Sequence, residues 1–414
     1  MGFIDKNIEW IVAMAVINIS TLLLDNFCKW LSPSISPLFT LIYYIVLLLM
    51  LMYQNKHCGL RFRKPFFIFF FSLYSLYILL YMTTLRVYPL RELHGVPEEI
   101  RGFFTLTFLI FGYLLCAETI CHKFNMRKFV YLSLFLAVLP TIWYVATVGV
   151  GFFHNEDALI EETNFNVLSL SYCNVPILVM SILFYDDLSD NKIVSHLISI
   201  FIILVVGYIL FMSARRGPLL WCMVNIAICY FYKSRKVFKY IVFASVLGIL
   251  LYYNIDTVIG WISSVNSYAG ERLNAALYEG STSGRMDMDN QESSIFFLGL
   301  NQFLESPLYG SYFRIVTSVG MFRGAYPHNI FIEMLITMGL IGFVMFCILL
   351  YRIFKTPRVI LMRDNNKLAL FSLFMASFLQ LQTSDTLSFN IWFWALFYTV
   401  LIMNPYKVHK RFYK

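Results

Sequence analysis

Residues 254–328 read NIDTVIGWISSVNSYAGERLNAALYEGSTSGRMDMDNQESSIFFLGLNQFLESPLYGSYFRIVTSVGMFRGAYPH, the one long polar interval in a chain otherwise built of apolar blocks. It holds a Gly284-Arg285 pair, the run Ser306-Pro307-Leu308-Tyr309-Gly310, and Pro327-His328 where the next apolar block opens. The blocks on either side decide the fold class, and this interval decides where chemistry belongs.

A membrane-spanning helix takes about 20 mostly apolar residues. Working outward, blocks of that kind occupy roughly 8–25, 36–53, 66–85, 102–121, 129–149, 165–185, 193–212, 217–232 and 240–254 before the interval, and 328–351, 367–385 and 388–404 after it. The last two come from one apolar stretch, too long for a single helix at about 1.5 Å per residue, so a tight turn is expected near Asp385-Thr386. With 414 residues, 59% hydrophobic and 14% charged, the chain is far from a soluble globular protein, for which about 25% charged is usual. The expected class is an all-α polytopic membrane protein of about 12 transmembrane helices with one large outer loop. Residues 1–253 carry helices 1–9, 254–328 the loop, and 329–414 helices 10–12 with a basic tail.

Loop charges set the orientation, because short cytoplasmic loops accumulate Lys and Arg. Five basic clusters fall on one face: Lys56 to Lys64, Lys123 to Lys128, Lys233 to Lys239, Arg352 to Lys367, and the tail from Lys407. That face, with both termini, is therefore cytoplasmic. The turn carrying Asp186, Asp187 and Asp190 is an acidic exception on the same face. The net charge of +8 does not point to nucleic acid, since the cations sit in short clusters between spans and form no basic module. The eight cysteines lie mostly in or beside apolar blocks and read as small buried hydrophobes. Cys116, Cys121 and His122 match no zinc spacing, and no metal or other cofactor is implied. The first apolar block lacks a basic leader and cleavage site, so it is expected to stay as a helix. Within the loop, Phe296, Leu300, Phe303 and Leu304 have helical spacing, which places a short helix along the membrane boundary until Ser306-Pro307 stops it.

The outer face is selective in its cations. The interval contains Arg272, Arg285, Arg314 and Arg323 but no lysine. Arg215 and Arg216 sit in the outer turn Ser213 to Pro218, and Arg86 and Arg91 follow the third span. A guanidinium offers a planar fork to phosphate oxygens and stays charged when partly desolvated, so this set suits a pyrophosphate. The competing partners are the loop's own Glu271, Asp287, Asp289 and Glu305, which would make the arginines ordinary loop structure. His328 has the chemistry of a general base near neutral pH, or of an interfacial cap. Tyr326, Asn329 and Glu333 flank it, and an ionisable group in a span is a functional candidate because burial there is expensive. Met338-Gly339-Leu340-Ile341-Gly342 reads as a close-packing motif.

In their order, Gly284-Arg285, Ser306 to Gly310, His328-Asn329, Glu333 and Gly339 to Gly342 resemble the signature region of the O-antigen polymerase and ligase superfamily. Ser213-Ala214-Arg215-Arg216-Gly217 is similar to that family's upstream turn. The resemblance implies a GT-C-like membrane glycosyltransferase fold in a bacterial inner membrane, with a periplasmic site and no metal. It implies undecaprenyl-diphosphate-linked oligosaccharides as donor and acceptor, with membrane lipid around them and a chain-length regulator protein as a possible partner. Carried over, Arg215 and Arg285 hold the donor diphosphate and His328 serves the acceptor hydroxyl. Arg216, Arg86, Arg91, Arg314, Arg323, Tyr326, Asn329 and Glu333 are the expected substrate contacts. A repeat-unit polymerase is favoured over a ligase acting on lipid A-core. A flippase is disfavoured, because charge gathers in one late loop and no half-to-half similarity is visible.

Overall fold

A computed structural model describes residues 45, 49, 51–53, 64–84, 92–93, 96–97, 111–148, 167–213, 216–233, 253–278, 295–310, 329–356, 358–383, 387 and 390–403. Those residues are almost wholly helical. In chain order the helices are α1 (Pro65–Thr84), α2 (Phe111–Leu115), α3 (Ala117–Lys123), α4 (Met126–Val148), α5 (Val167–Leu183), α6 (Lys192–Met212), α7 (Arg216–Lys233), α8 (Ile255–Val265), α9 (Ser267–Tyr278), α10 (Ile295–Glu305), α11 (Ile330–Phe354), α12 (Arg358–Arg363), α13 (Asn365–Gln380) and α14 (Ile391–Met403). A two-residue antiparallel pair, Glu92–Leu93 with Val96–Pro97, is the one extended pairing among the described residues.

The chain is an all-helical membrane protein. Met126–Trp143 within α4, all of α6 and all of α11 are long and apolar enough to cross a bilayer. The apolar blocks expected at 165–185, 193–212, 217–232 and 328–351 appear as α5, α6, α7 and α11. The block at 102–121 is interrupted at Cys116, between α2 and α3. The blocks at 8–25 and 240–254 and the turn at Asp385-Thr386 lie largely or wholly outside the described residues.

Two compact units are present: residues Met1–Tyr43, Phe124–Ser281 and Arg358–Ala376, and residues Tyr44–Lys123, Thr282–Pro357 and Ser377–Lys414. The division cuts the long polar interval between Ser281 and Thr282, so the interval is not a domain of its own.

In the first unit α5 is the central helix, packed on α4, α6 and α7. Its described residues from Ser171 to Ser181 are all buried. Beside it, Asn225 of α7 donates to the Ser372 carbonyl at 3.0 Å and accepts from Cys229 at 3.3 Å, which satisfies an amide that would be costly in an apolar interior. The acidic turn after α5 explains its own charge. Asp190 pairs with Arg127 at 2.5 Å, Asp187 accepts from Asn365 at 2.7 Å, and Asp186 meets His196 at 2.7 Å. That last bond, the leading cause, holds the Asp186 carboxyl below its ordinary range. Arg127 also donates to the Asp187 carbonyl, and Lys233 to the Leu183 carbonyl. The turn therefore gathers the start of α4, the ends of α5 and α7, and the starts of α6 and α13. Four loops expected on one face meet at one hub.

The second unit is held by aromatics. Phe67, Phe70, Phe71 and Tyr74 of α1 surround Trp394 of α14, with ring centroids 4.9–6.5 Å apart. Helix α14 is apolar on every side and buried throughout its described side chains except half-buried Ile402, as a helix without a polar face must be. Arg352 near the end of α11 lies 5.3 Å from the Phe66 ring, and burial, then the Arg352 charge, lowers the Lys64 ammonium from its ordinary value.

Candidate functional site

Arg215, Arg285, His328, Arg86, Arg91, Arg314, Arg323 and Tyr326 lie outside the described residues, and of Arg216 only its place as the first residue of α7 is described. The structure describes the elements next to Arg215 and Arg216 in sequence and those on either side of residues 311–328. Asn329 and Glu333 are described in full.

The first frame is the end of α6. Ser213 closes that helix, its N–H bonded to the Ile209 carbonyl at 3.0 Å and its hydroxyl to the Leu210 carbonyl at 2.8 Å. Helix α7 restarts at Arg216, and Pro218 falls in its first turn, where a missing N–H costs nothing. The Met212 carbonyl at the helix end accepts from Asn266 Nδ2 at 3.4 Å. Asn266 is the elbow between α8 and α9, and its Oδ1 also accepts from the Ala269 N–H at 3.0 Å. Nothing in the hydrophobic periodicity marks Asn266. Only its place before Ser267, as a cap residue, was available as a signal.

The second frame is the start of α11. Asn329 is the N-cap, extended at φ −149°, ψ 114°, and its Oδ1 accepts from the N–H groups of Phe331 and Ile332. His328 thus immediately precedes a capped helix start, where backbone dipoles favour negative charge. Glu333, in the first turn, is 2% exposed. Both its oxygens accept from the Leu387 N–H, at 2.9 and 3.0 Å. The Leu387 carbonyl in turn accepts from Trp394 Nε1 at 3.0 Å. The carboxylate therefore holds the approach to α14 against the first turn of α11. Its described partner is backbone.

The third frame is a clasp between two of the singled-out motifs. Helix α11 breaks at Gly339, with φ 62° and ψ −165°. The N–H groups of Leu340 and Ile341, which an unbroken helix would give to its own preceding turn, go instead to the carbonyls of Pro307 and Leu308 at 2.8 and 3.4 Å. Gly310, at φ 79°, closes the approach. A Cβ on Gly310 would lie 2.4 Å from the Thr337 carbonyl oxygen, and one on Gly339 would lie 2.4 Å from the Leu308 carbonyl. Only paired glycines let these backbones meet. Helix α10 packs on α11 just before the clasp, Phe303 lying against Ile332 and Ile336. The glycine pattern at 338–342, expected as a helix-packing motif, receives a loop instead.

Gly310, packed at Gly339, and the N-cap Asn329 are thus two points about 15 Å apart along α11 at 1.5 Å per residue. Between them in the sequence, outside the described residues, stand Arg314, Arg323, Tyr326 and His328. No protein-family model, curated protein or solved structure matches this chain.

Proposed function

We propose that this protein is a membrane glycosyltransferase that extends a glycan carried on a polyprenyl diphosphate, an O-antigen or capsule repeat-unit polymerase of the inner membrane. The observation that carries the reading is that Gly310 and Asn329 are both anchored on α11, a capped and broken helix. The sequence between these two anchors is short and holds two arginines, a tyrosine and a histidine. The proposal includes about 12 spans in a GT-C-like arrangement, cytoplasmic termini and a periplasmic site.

In this scheme the acceptor hydroxyl of a lipid-linked repeat attacks the anomeric carbon of the donor glycan. The new C–O bond forms as the bond to the diphosphate breaks, with inversion. The bonding pair leaves with the lipid diphosphate, and the acceptor proton passes to His328. Arg215 and Arg285 offer forked donors to the charge that develops on the leaving oxygens. Arg216, Arg86, Arg91, Arg314 and Arg323 extend the anionic contact, and Tyr326 and Asn329 line the approach of His328. Glu333 contributes through the position it gives the start of α11.

His328→Ala tests this in cells. General acid–base groups supply about 10²–10⁴-fold in rate, so the variant should still export single repeats and display core capped with one unit. A normal ladder of chain lengths would remove His328 from the chemistry. Loss of all glycan from the core, with polymer accumulating on lipid, would make the protein a ligase.

A further inference from the structure

Helix α8 carries three stripes at three- and four-residue spacing. Ile259 is buried with Ile255 half-buried before it and Ile262 half-buried after it, and α8 packs on α9. Asp256, Gly260 and Ser264 are exposed and polar or small. Between these, on the flank, Trp261 and Val265 are apolar and left 67% and 54% exposed.

We propose that α8 is an interfacial helix whose Trp261–Val265 flank beds in the headgroup–acyl boundary of the bilayer, on the face where α6 ends. The Asn266 elbow fixes the depth. It is 4% exposed, and its side chain donates to the carbonyl of Met212, the last residue of a helix long and apolar enough to span and exposed at Leu197, Ile200, Phe201, Leu204 and Tyr208. Val265 adjoins that elbow and Trp261 lies one turn away, about 6 Å along the axis. The flank therefore begins within one turn of the elbow that is bonded to the end of α6. Indole is favoured at this depth, where its ring is shielded and its N–H still meets water. The sole charge on α8 is Asp256, on another stripe, so the partner is the apolar–polar boundary of a phospholipid leaflet and not an anionic headgroup in particular. A tight elbow keeps α8 in place: a Cβ at Gly270 would lie 1.9 Å from Ser263 Oγ. The consequence is that the end of α6 is held at the membrane surface.

This inference rests on α6 crossing the bilayer and not on glycosyl transfer. The test uses the full-length protein in nanodiscs of phosphatidylethanolamine and phosphatidylglycerol, with p-benzoylphenylalanine placed in turn at Trp261, Val265 and Asp256, and at Leu197 as a positive control. After irradiation, mass spectrometry should find phospholipid adducts at the first two sites and at Leu197. The Asp256 site should give about tenfold fewer, the equivalent of 1.4 kcal/mol of partitioning. Cross-links to a second copy, equal yields from Trp261 and Asp256, or labelling at Leu197 alone would overturn it. Trp261→Phe, conservative at an exposed site, gives a second reading: quenching of intrinsic fluorescence by shallow brominated phospholipid should fall. Unchanged quenching would contradict the proposal.

Discussion

Glu333 shows how a residue type can be legible while its neighbours in space are not. A carboxylate in an apolar span demands a partner, and the sequence offered substrate as that partner. The structure gives both oxygens to the N–H of Leu387. Nothing in a linear pattern pairs residues so far apart through a backbone amide. Glu333→Leu should therefore leave a buried N–H without its acceptor, costing about 1–3 kcal/mol. The checks are thermal unfolding in detergent and faster hydrogen exchange at Leu387. Glu333→Gln keeps one accepting oxygen, and its exchange and pH–rate profile should stay near wild type. A proton-transfer role would instead make Gln as damaging as Leu. Arg215 is the converse case, legible as a cation out of place on the face expected to be outer. Arg215→Lys keeps the charge and loses the fork. If a charged hydrogen bond of about 1.5–3 kcal/mol goes with it, chain extension should slow roughly 10–150-fold, and full activity in that variant would remove the phosphate fork from the account.

At the scale of elements, apolar runs of bilayer length were readable because lipid offers the backbone no alternative partner, so such runs must be helical. The expected 193–212 is Lys192–Met212, and 217–232 is Arg216–Lys233. The break in α11 was not readable. A Gly-x-x-Gly pattern looks the same whether it admits a neighbouring helix or ends its own, and only Gly310 in an earlier loop decides between them. The clasp makes a sharp mutational contrast. Gly339→Ala and Gly310→Ala each meet backbone at 2.4 Å and a left-handed conformation, which alone costs about 1–3 kcal/mol. Both should lower the unfolding temperature and release the segment around Pro307 to proteolysis. Gly207→Ala in α6 faces open space and should be neutral or stabilising by up to about 1 kcal/mol. Equal effects at all three positions would contradict the clasp.

For the whole molecule, sidedness is where sequence and structure inform each other most. By the count of basic clusters one face is expected to be cytoplasmic, and the acidic turn at 186–190 runs against that count. In the first unit those acids hold Arg127 and Asn365 from two of the basic loops, so the exception serves the clusters it interrupts. An exposed ion pair such as Arg127–Asp190 is worth about 0–1 kcal/mol, and the value of these bonds is in fixing which helix ends share a side. Asp190→Cys should accordingly react with a membrane-impermeant maleimide only from the cytoplasm, and Ser264→Cys only from outside, in a background lacking reactive native cysteines. Labelling of both from one side would break the topology. The division of the 254–328 interval between two units was hidden for a similar reason: no composition break marks it, while its attachments, Asn266 to Met212 and Gly310 to Gly339, are long-range. The central claim, that the protein extends lipid-linked glycan, is met most directly by purified wild-type protein given lipid-linked repeat units and no lipid A-core. A ladder of longer lipid-linked chains, lost with His328→Ala, is the predicted result; repeat units returned unextended by the wild-type protein would contradict it.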